Sequence, residues 1–131
     1  HREHDGKVTC YGCHSGSAYR NCNDCHGGHS AANPGMILGK NPRDKKTLTT
    51  LRLIPTVRDT FAPAGIKMEN FDALPNYWDT PAHNIRKRTD RTRNCDTCHV
   101  DRKNFLTKEM LIKNGSKAND DLIFVPKPIN R

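Results

Sequence analysis

Six cysteines and three histidines fall into one repeated pattern: Cys10-Tyr-Gly-Cys13-His14, Cys22-Asn-Asp-Cys25-His26 and Cys95-Asp-Thr-Cys98-His99. A thiol is both a nucleophile and a soft metal ligand, and imidazole is the commonest protein ligand for a metal. Two thiols with two residues between them, followed at once by a histidine, form the attachment signature of c-type haem. The spacing roughly matches the separation of the two porphyrin vinyl groups, to which the thiols add. The histidine is then carried under the ring, where it can ligate the iron. All six cysteines are used this way and none is left over. Zinc chemistry would instead gather Cys10, Cys13, Cys22 and Cys25 into a thiolate cage. That reading leaves the histidine after each pair unexplained, and also the distant third pair. A disulfide framework could use six cysteines, but a two-residue separation suits redox-active pairs better than structural bridges.

With these motifs the chain resembles a multihaem c-type cytochrome, here trihaem, or a section or subunit of a larger multihaem cytochrome assembly. The resemblance rests on residues 10–14, 22–26 and 95–99 and on the remaining histidines; it does not cover residues 30–82. It implies three covalently attached haem c groups on Cys10 and Cys13, Cys22 and Cys25, and Cys95 and Cys98. His14, His26 and His99 would be the proximal iron ligands. His29, His83, His4 and His1 are the candidates for the opposite face. His29 follows its own motif too closely to reach round that ring, so it is expected on the first haem or on a neighbouring chain. His83 precedes the third motif, an arrangement that recurs in multihaem cytochromes. His4 lies close enough upstream of Cys10 to fold over a ring, and His1 is a further candidate on the same lead-in.

Four histidines for three distal positions make bis-histidine, low-spin coordination feasible throughout. Six-coordinate iron has no open position for substrate, and imidazole on both sides tends to keep the potential low, whereas methionine raises it. The expectation is therefore electron transfer, as a carrier or conduit between redox partners, and not catalysis. The alternative is a haem reductase, or the electron-feeding subunit of one, acting on a small oxidised nitrogen or sulfur species. That would need one five-coordinate haem, and no attachment motif here ends in lysine, as some do in multihaem reductases. Covalent attachment in this family follows export, so the resemblance implies a periplasmic, extracellular or cell-surface protein. The chain begins at His1 without a methionine, which reads as a processed or trimmed product. Expected partners are redox proteins, other cytochromes among them. A homo-oligomer or filament with haem ligands shared between chains is a further expectation, with His1 or His4 completing a neighbour's site.

The elements that must position these groups are faint in the sequence. The chain has 131 residues, enough for a single domain. Hydrophobic residues make up 34% and aromatics 6%, below the usual apolar share. Such a polar chain is expected to lean on porphyrins for its core and to be largely unfolded without them. The fold expected is therefore small, loop-rich and mainly α/irregular, organised by haem, with little regular secondary structure beyond one short strand or hairpin. Within one domain, the first two motifs would occupy residues 1–30, a wrapping segment 31–82, the third haem region 83–115 and a tail 116–131.

Thr47 to Ile54 carries the β-branched and apolar content of a strand, ended by Pro55. Asn33-Pro34-Gly35 and Lys40-Asn41-Pro42-Arg43-Asp44 read as turns. Leu106 to Asn114 reads as a short helix stopped by Asn114-Gly115. Phe61, Phe71, Tyr77 and Trp78 are expected to pack on porphyrin. No apolar run is long enough to span a bilayer. The formal charge of +8 suits an acidic redox partner, after part of it is offset by haem propionates. The run Arg86-Lys-Arg-Thr-Asp-Arg-Thr-Arg93 lacks the interleaved aromatics of a nucleic-acid surface, so it is assigned to propionates and solvent, and no nucleic-acid partner is expected.

Overall fold

The structure is a computed structural model, and it describes residues 1–15, 37–81, 85–102 and 104–129. Three strands form one antiparallel sheet in the order β1-β2-β3: β1 Ile37–Asn41, β2 Asp44–Leu53 and β3 Tyr77–Asp79. The β1–β2 hairpin pairs Ile37 with Leu51, Leu38 with Thr50 and Gly39 with Thr49, then shifts register between Lys40 and Asn41. Its turn chemistry is local. The Arg43 amide donates to Asn41 Oδ1 (2.9 Å), and the Asp44 carboxylate accepts from the Lys46 amide (3.2 Å) and the Thr47 hydroxyl (2.9 Å).

The far edge of β2 is shared. Tyr77 to Asp79 pairs with Leu53 to Leu51. At the other end the Thr9 amide donates to the Leu48 carbonyl (2.8 Å) and the Leu48 amide to the Lys7 carbonyl (2.7 Å). The outer edge of β1 is also occupied at Leu38, whose amide donates to the Asn104 carbonyl (2.7 Å) and whose carbonyl accepts from the Leu106 amide (2.8 Å). Both ends of the chain are thus stitched to the same sheet.

One face of the sheet carries the core: Ile37, Leu51, Tyr77, Leu106 and Leu122, with Leu53, Leu111 and Ile123 packed against it. Each fully buried leucine or isoleucine is worth about 1.5–3 kcal/mol of transfer free energy. Gly39 is required where the sheet meets the C-terminal segment. A Cβ there would stand 2.6 Å from Leu51 Cδ1 and 2.8 Å from the Leu122 carbonyl oxygen. Beside the core lies a buried polar hub. The Asn76 amide donates to Asn119 Oδ1 (2.7 Å), and Asn76 Oδ1 accepts from the Ser116 amide (2.8 Å) and Asn119 Nδ2 (3.0 Å). Asn76 Nδ2 donates to the carbonyls of Ile54 (2.9 Å) and Thr56 (2.7 Å). Residues 54–76 form an excursion clamped to this hub by Arg58, which makes a two-pronged pair with Asp72 at 2.9 and 2.7 Å and covers the Phe71 ring at 5.0 Å.

The mainly α/irregular, haem-organised fold is overturned by this sheet. Among the described residues the α-helices span only four or five residues each: α1 Cys10–His14, α2 Asp90–Arg93 and α3 Asp96–His99. The strand expected at 47–54 exists, but Ile37–Asn41 supplies its partner through the Asn41-Pro42-Arg43-Asp44 turn, and Tyr77–Asp79 adds a third strand. The helix expected at 106–114 is a single 3-10 turn, Lys108–Met110. Leu106 is drawn instead to the edge of β1, and Asn114 adopts a left-handed conformation (φ 56°). Tyr77 lies in the sheet's core, its hydroxyl donating to the Met110 carbonyl and accepting from the Ile112 amide, both at 3.2 Å. No helix among the described residues is long and apolar enough to cross a membrane.

Candidate functional site

The first motif is the helix α1. It sits where the lead-in strand-like segment leaves β2, after the Thr9 hydroxyl has met Thr49 Oγ1 at 3.1 Å. Thr49 in turn donates to Asp79 Oδ1 at 2.6 Å, so a short polar relay ties the start of α1 to β3. Gly12 lets α1 close onto this base: a Cβ there would lie 2.6 Å from Val8 Cγ1 and 3.4 Å from Leu38 Cδ2. The third motif forms α3, which starts after an Asn94 side chain accepts from the Asp96 amide (3.0 Å). The two motifs have matching exposure, with Cys10 and Cys95 exposed and Cys13 and Cys98 half-buried. The four described thiols are free, without disulfides among them.

The histidines of both motifs are held alike. His14 Nδ1 lies 2.9 Å from the Arg86 carbonyl oxygen, and His99 Nδ1 lies 2.7 Å from the Lys127 carbonyl oxygen. A carbonyl only accepts, so each Nδ1 carries the proton and each neutral ring keeps its lone pair on Nε2. That is the tautomer of a metal-ligating histidine with a backbone partner behind it. Lys127 stands between Pro126 and Pro128, whose fixed φ stiffens the segment that presents this carbonyl.

A second imidazole faces each of these rings. His1 lies against His14, with ring centroids 5.7 Å apart, planes 21° apart and Nε2 to Nε2 3.5 Å. His4 lies against His99, with centroids 6.1 Å apart and planes at 40°. Both facing histidines come from one turn, in which the His4 amide donates to the His1 carbonyl (2.9 Å) and the Lys7 amide to the His4 carbonyl (2.9 Å). Gly6 takes the left-handed conformation (φ 70°) that lets the turn close before Val8 joins β2.

Helix α2 packs between α1 and α3. Thr89, 1% exposed, donates its hydroxyl to the Cys13 carbonyl, and Arg91 Nη1 reaches the Gly12 carbonyl at 3.4 Å. Burial pushes the Cys13 and Cys98 thiols upward in pKa, and the charge of Arg91 opposes the shift in both. Burial in turn pulls Arg91 downward, opposed by Cys98 and Cys13. Arg91 thus stands against the first Cys-X-X-Cys segment, on a helix that packs against both α1 and α3.

Of the residues singled out in the sequence, the structure brings together His14 with His1 and His99 with His4. Cys22, Cys25, His26, His29 and His83 lie outside the described residues. Sequence reasoning missed the Arg86 and Lys127 carbonyls, the Thr89 hydroxyl and the place of Arg91. The only signals were Pro126 and Pro128 around Lys127 and a basic run that had been assigned to propionates and solvent.

The donor set can be tested against the groups it could hold. Among the described residues no three histidine, cysteine or acidic side chains converge as a metal cage. They offer imidazole pairs instead, each beside a Cys-X-X-Cys segment. Two metal–imidazole bonds of about 2 Å would set Nε2 atoms about 4 Å apart, close to the 3.5 Å between His1 and His14. The His1–His14 spacing is thus compatible with a metal held between two imidazoles, and His4 faces His99 in a similar way. Comparison with known proteins finds no family model, no curated protein and no solved structure that matches this chain.

Proposed function

We propose that the chain is an electron-transfer protein that carries haem c on its three Cys-X-X-Cys-His motifs. The observation that carries this reading is the pair of facing imidazoles, His1 to His14 and His4 to His99, each next to an attachment motif and each backed by a carbonyl at Nδ1. Haem iron supplies a one-electron couple, tuned by its axial ligands and surroundings. Cys10 with Cys13 and Cys95 with Cys98 would hold the porphyrins of the two described sites, and Cys22 with Cys25 the remaining one. His14 and His99 would ligate from the motif side and His1 and His4 from the other. The Arg86 and Lys127 carbonyls hold the proton on Nδ1, which would leave Nε2 of each ring to ligate the iron.

A haem ligated by both histidines of a pair would leave no place for substrate at these two sites, which favours a carrier or conduit over a reductase. Both facing pairs close within one chain, so neither needs a histidine borrowed from a neighbour. Thioether attachment would place the protein outside the cytoplasm. Its charge of +8 would favour acidic redox partners, other cytochromes included, over nucleic acid.

The test is haem quantification in alkaline pyridine, followed by optical spectra of oxidised and dithionite-reduced protein. Three covalent haems per chain, low-spin in both states, are expected. A high-spin fraction in the native protein would move the reading to a reductase. Absence of covalent haem after expression with a c-type maturation system would overturn it.

A further inference from the structure

His1 and His4 belong to one turn, yet they serve different rings. His1 Nε2 lies 3.5 Å from His14 Nε2, and the His4 ring centroid lies 6.1 Å from that of His99. The turn is closed from within. The His4 amide donates to the His1 carbonyl (2.9 Å), the Lys7 amide to the His4 carbonyl (2.9 Å), and Lys7 Nζ to the Glu3 carbonyl (3.1 Å). Every residue from His1 to Lys7 is exposed. The Arg2–Glu3 ion pair, at 4.0 Å, lies in solvent and adds little. Backbone attachment to the sheet begins only at Lys7, whose carbonyl accepts from the Leu48 amide at 2.7 Å.

This inference rests on the reading above, in which His1 and His4 are the second ligands of two different haems. We propose that residues 1–7 form a strap that couples the first-motif and third-motif sites, so that release of one histidine loosens the other. The size of the effect follows from tether length. Counted from Lys7, His4 stands three residues out and His1 six. With His4 seated, His1 swings on the three residues that separate the two histidines; with His4 released, its tether doubles. Loop-closure cost rises as three-halves of the logarithm of length, so doubling the tether lowers the effective concentration of His1 at its ring about threefold. Coupling between binding events is reciprocal, so loss of His1 weakens His4 by the same factor. A small competing ligand that opens one site therefore makes the other easier to open.

The experiment is a cyanide titration of the oxidised, haem-loaded protein, followed by paramagnetic proton NMR, in which each haem gives its own methyl signals. Haem content is counted first; if wild type lacks covalent haem, the electron-transfer reading fails before this inference is reached. Cyanide replaces a histidine by ligand exchange: one iron–Nε2 bond breaks, one iron–carbon bond forms and no electron moves. The double variant His1→Ala/His4→Ala identifies the signals of the two strapped sites. In wild type, cyanide is expected to enter these two sites with positive cooperativity and the remaining site independently. His4→Ala should raise cyanide affinity at the first-motif site about threefold, and His1→Ala should raise it at the third-motif site by the same factor. A glycine–serine insertion of about six residues between Arg2 and Glu3 keeps both histidines but lengthens the tether, and should bring the coupling below about twofold. Independent entry of cyanide at the two sites of wild type overturns the proposal. So does cooperativity that the insertion leaves unchanged, or a rise at one site without the matching rise at the other. Wild type and the insertion variant retain both ligands, so the outcome does not hang on haem retention in the alanine variants.

Discussion

His14 and Arg86 grip each other twice: the Arg86 amide donates to the His14 carbonyl at 2.8 Å, and His14 Nδ1 donates to the Arg86 carbonyl at 2.9 Å. This fixes both the end of α1 and the tautomer of the ring that follows it. The grip uses backbone atoms of Arg86, so the arginine side chain can be exchanged without loosening it. On the proposed haem reading, Arg86→Ala is expected to leave the spectrum of the first site unchanged. Arg86→Pro removes the amide donor, and should shift that site's absorption or release its haem while the third site stays intact. Equal disturbance of all sites by Arg86→Pro would refute the local role.

His1 and His4 face different rings, so their substitutions should separate. His1→Ala is expected to open only the first-motif site, and His4→Ala only the third-motif site. Each should convert one haem from low to high spin, seen by electron paramagnetic resonance. Together they should open two. A high-spin signal that is the same for either single variant and does not grow in the double would break the assignment.

The ion pair of Arg58 and Asp72 gives a pH dependence with a definite sign. Its hydrogen bonds to Arg58, then to the Lys117 amide, hold the Asp72 carboxyl down from 3.8 to about 2. A depressed folded-state value means that the unfolded chain binds the proton more readily. The contribution of Asp72 is thus complete above 3.8 and fades as pH falls towards about 2. Asp72→Asn should lower the melting temperature at neutral pH and narrow its gap to wild type below pH 3.8. A gap that stays constant down to about pH 2 would show that the carboxylate's charge is irrelevant.

Asn76 satisfies groups from two segments, residues 54–56 and 116–119, so truncating it strands four partners at once, two of them on the buried residues Ser116 and Asn119. Asn76→Ala leaves the Ile54 and Thr56 carbonyls, the Ser116 amide and Asn119 Nδ2 without their bonds to this side chain. Each unsatisfied buried group costs about 1–3 kcal/mol. Relaxation and water entry reduce the sum, and a net loss of about 3–5 kcal/mol is expected in denaturant unfolding. A loss below about 1 kcal/mol would mean that solvent already reaches the hub.

The sequence made some of this architecture plain. Thr47 to Ile54 announced a strand through its β-branched and apolar content, ended by Pro55. The Cys-X-X-Cys-His motifs were legible because their residues are contiguous. The rest depends on long-range pairing. Ile37–Asn41 is short, and nothing in it says that Leu51 will lie opposite Ile37. Tyr77 and Trp78 looked like haem-packing aromatics, yet Tyr77 fills the sheet's core because Leu53 and β2 offer it a ladder. His1 and His4 read as tail residues or candidate ligands alike. Only the Lys7–Leu48–Thr9 pairing, invisible in the local sequence, carries them to His14 and His99. The carbonyls of Arg86 and Lys127 leave no trace in side-chain identity at all.

Gly39 offers a final test of the sheet that replaces the haem-organised core. It pairs with Thr49 in the β1–β2 hairpin, and the Leu122 carbonyl presses on its open face. A methyl group there meets backbone oxygen at 2.8 Å and Leu51 Cδ1 at 2.6 Å. The leucine can rotate away, but the Leu122 backbone can yield only by shifting the turn that carries it. Gly39→Ala should therefore destabilise by about 1–3 kcal/mol, the usual cost of overpacking a tight site. Gly65→Ala is the contrast, since nothing lies within 4 Å of the added Cβ and the cost there comes from the left-handed backbone (φ 72°) alone. Chemical denaturation of both variants without haem would decide whether the sheet holds by itself. A cooperative transition with Gly39→Ala weaker than Gly65→Ala is expected. A non-cooperative, sequence-insensitive transition would return the stability of this fold to its cofactors.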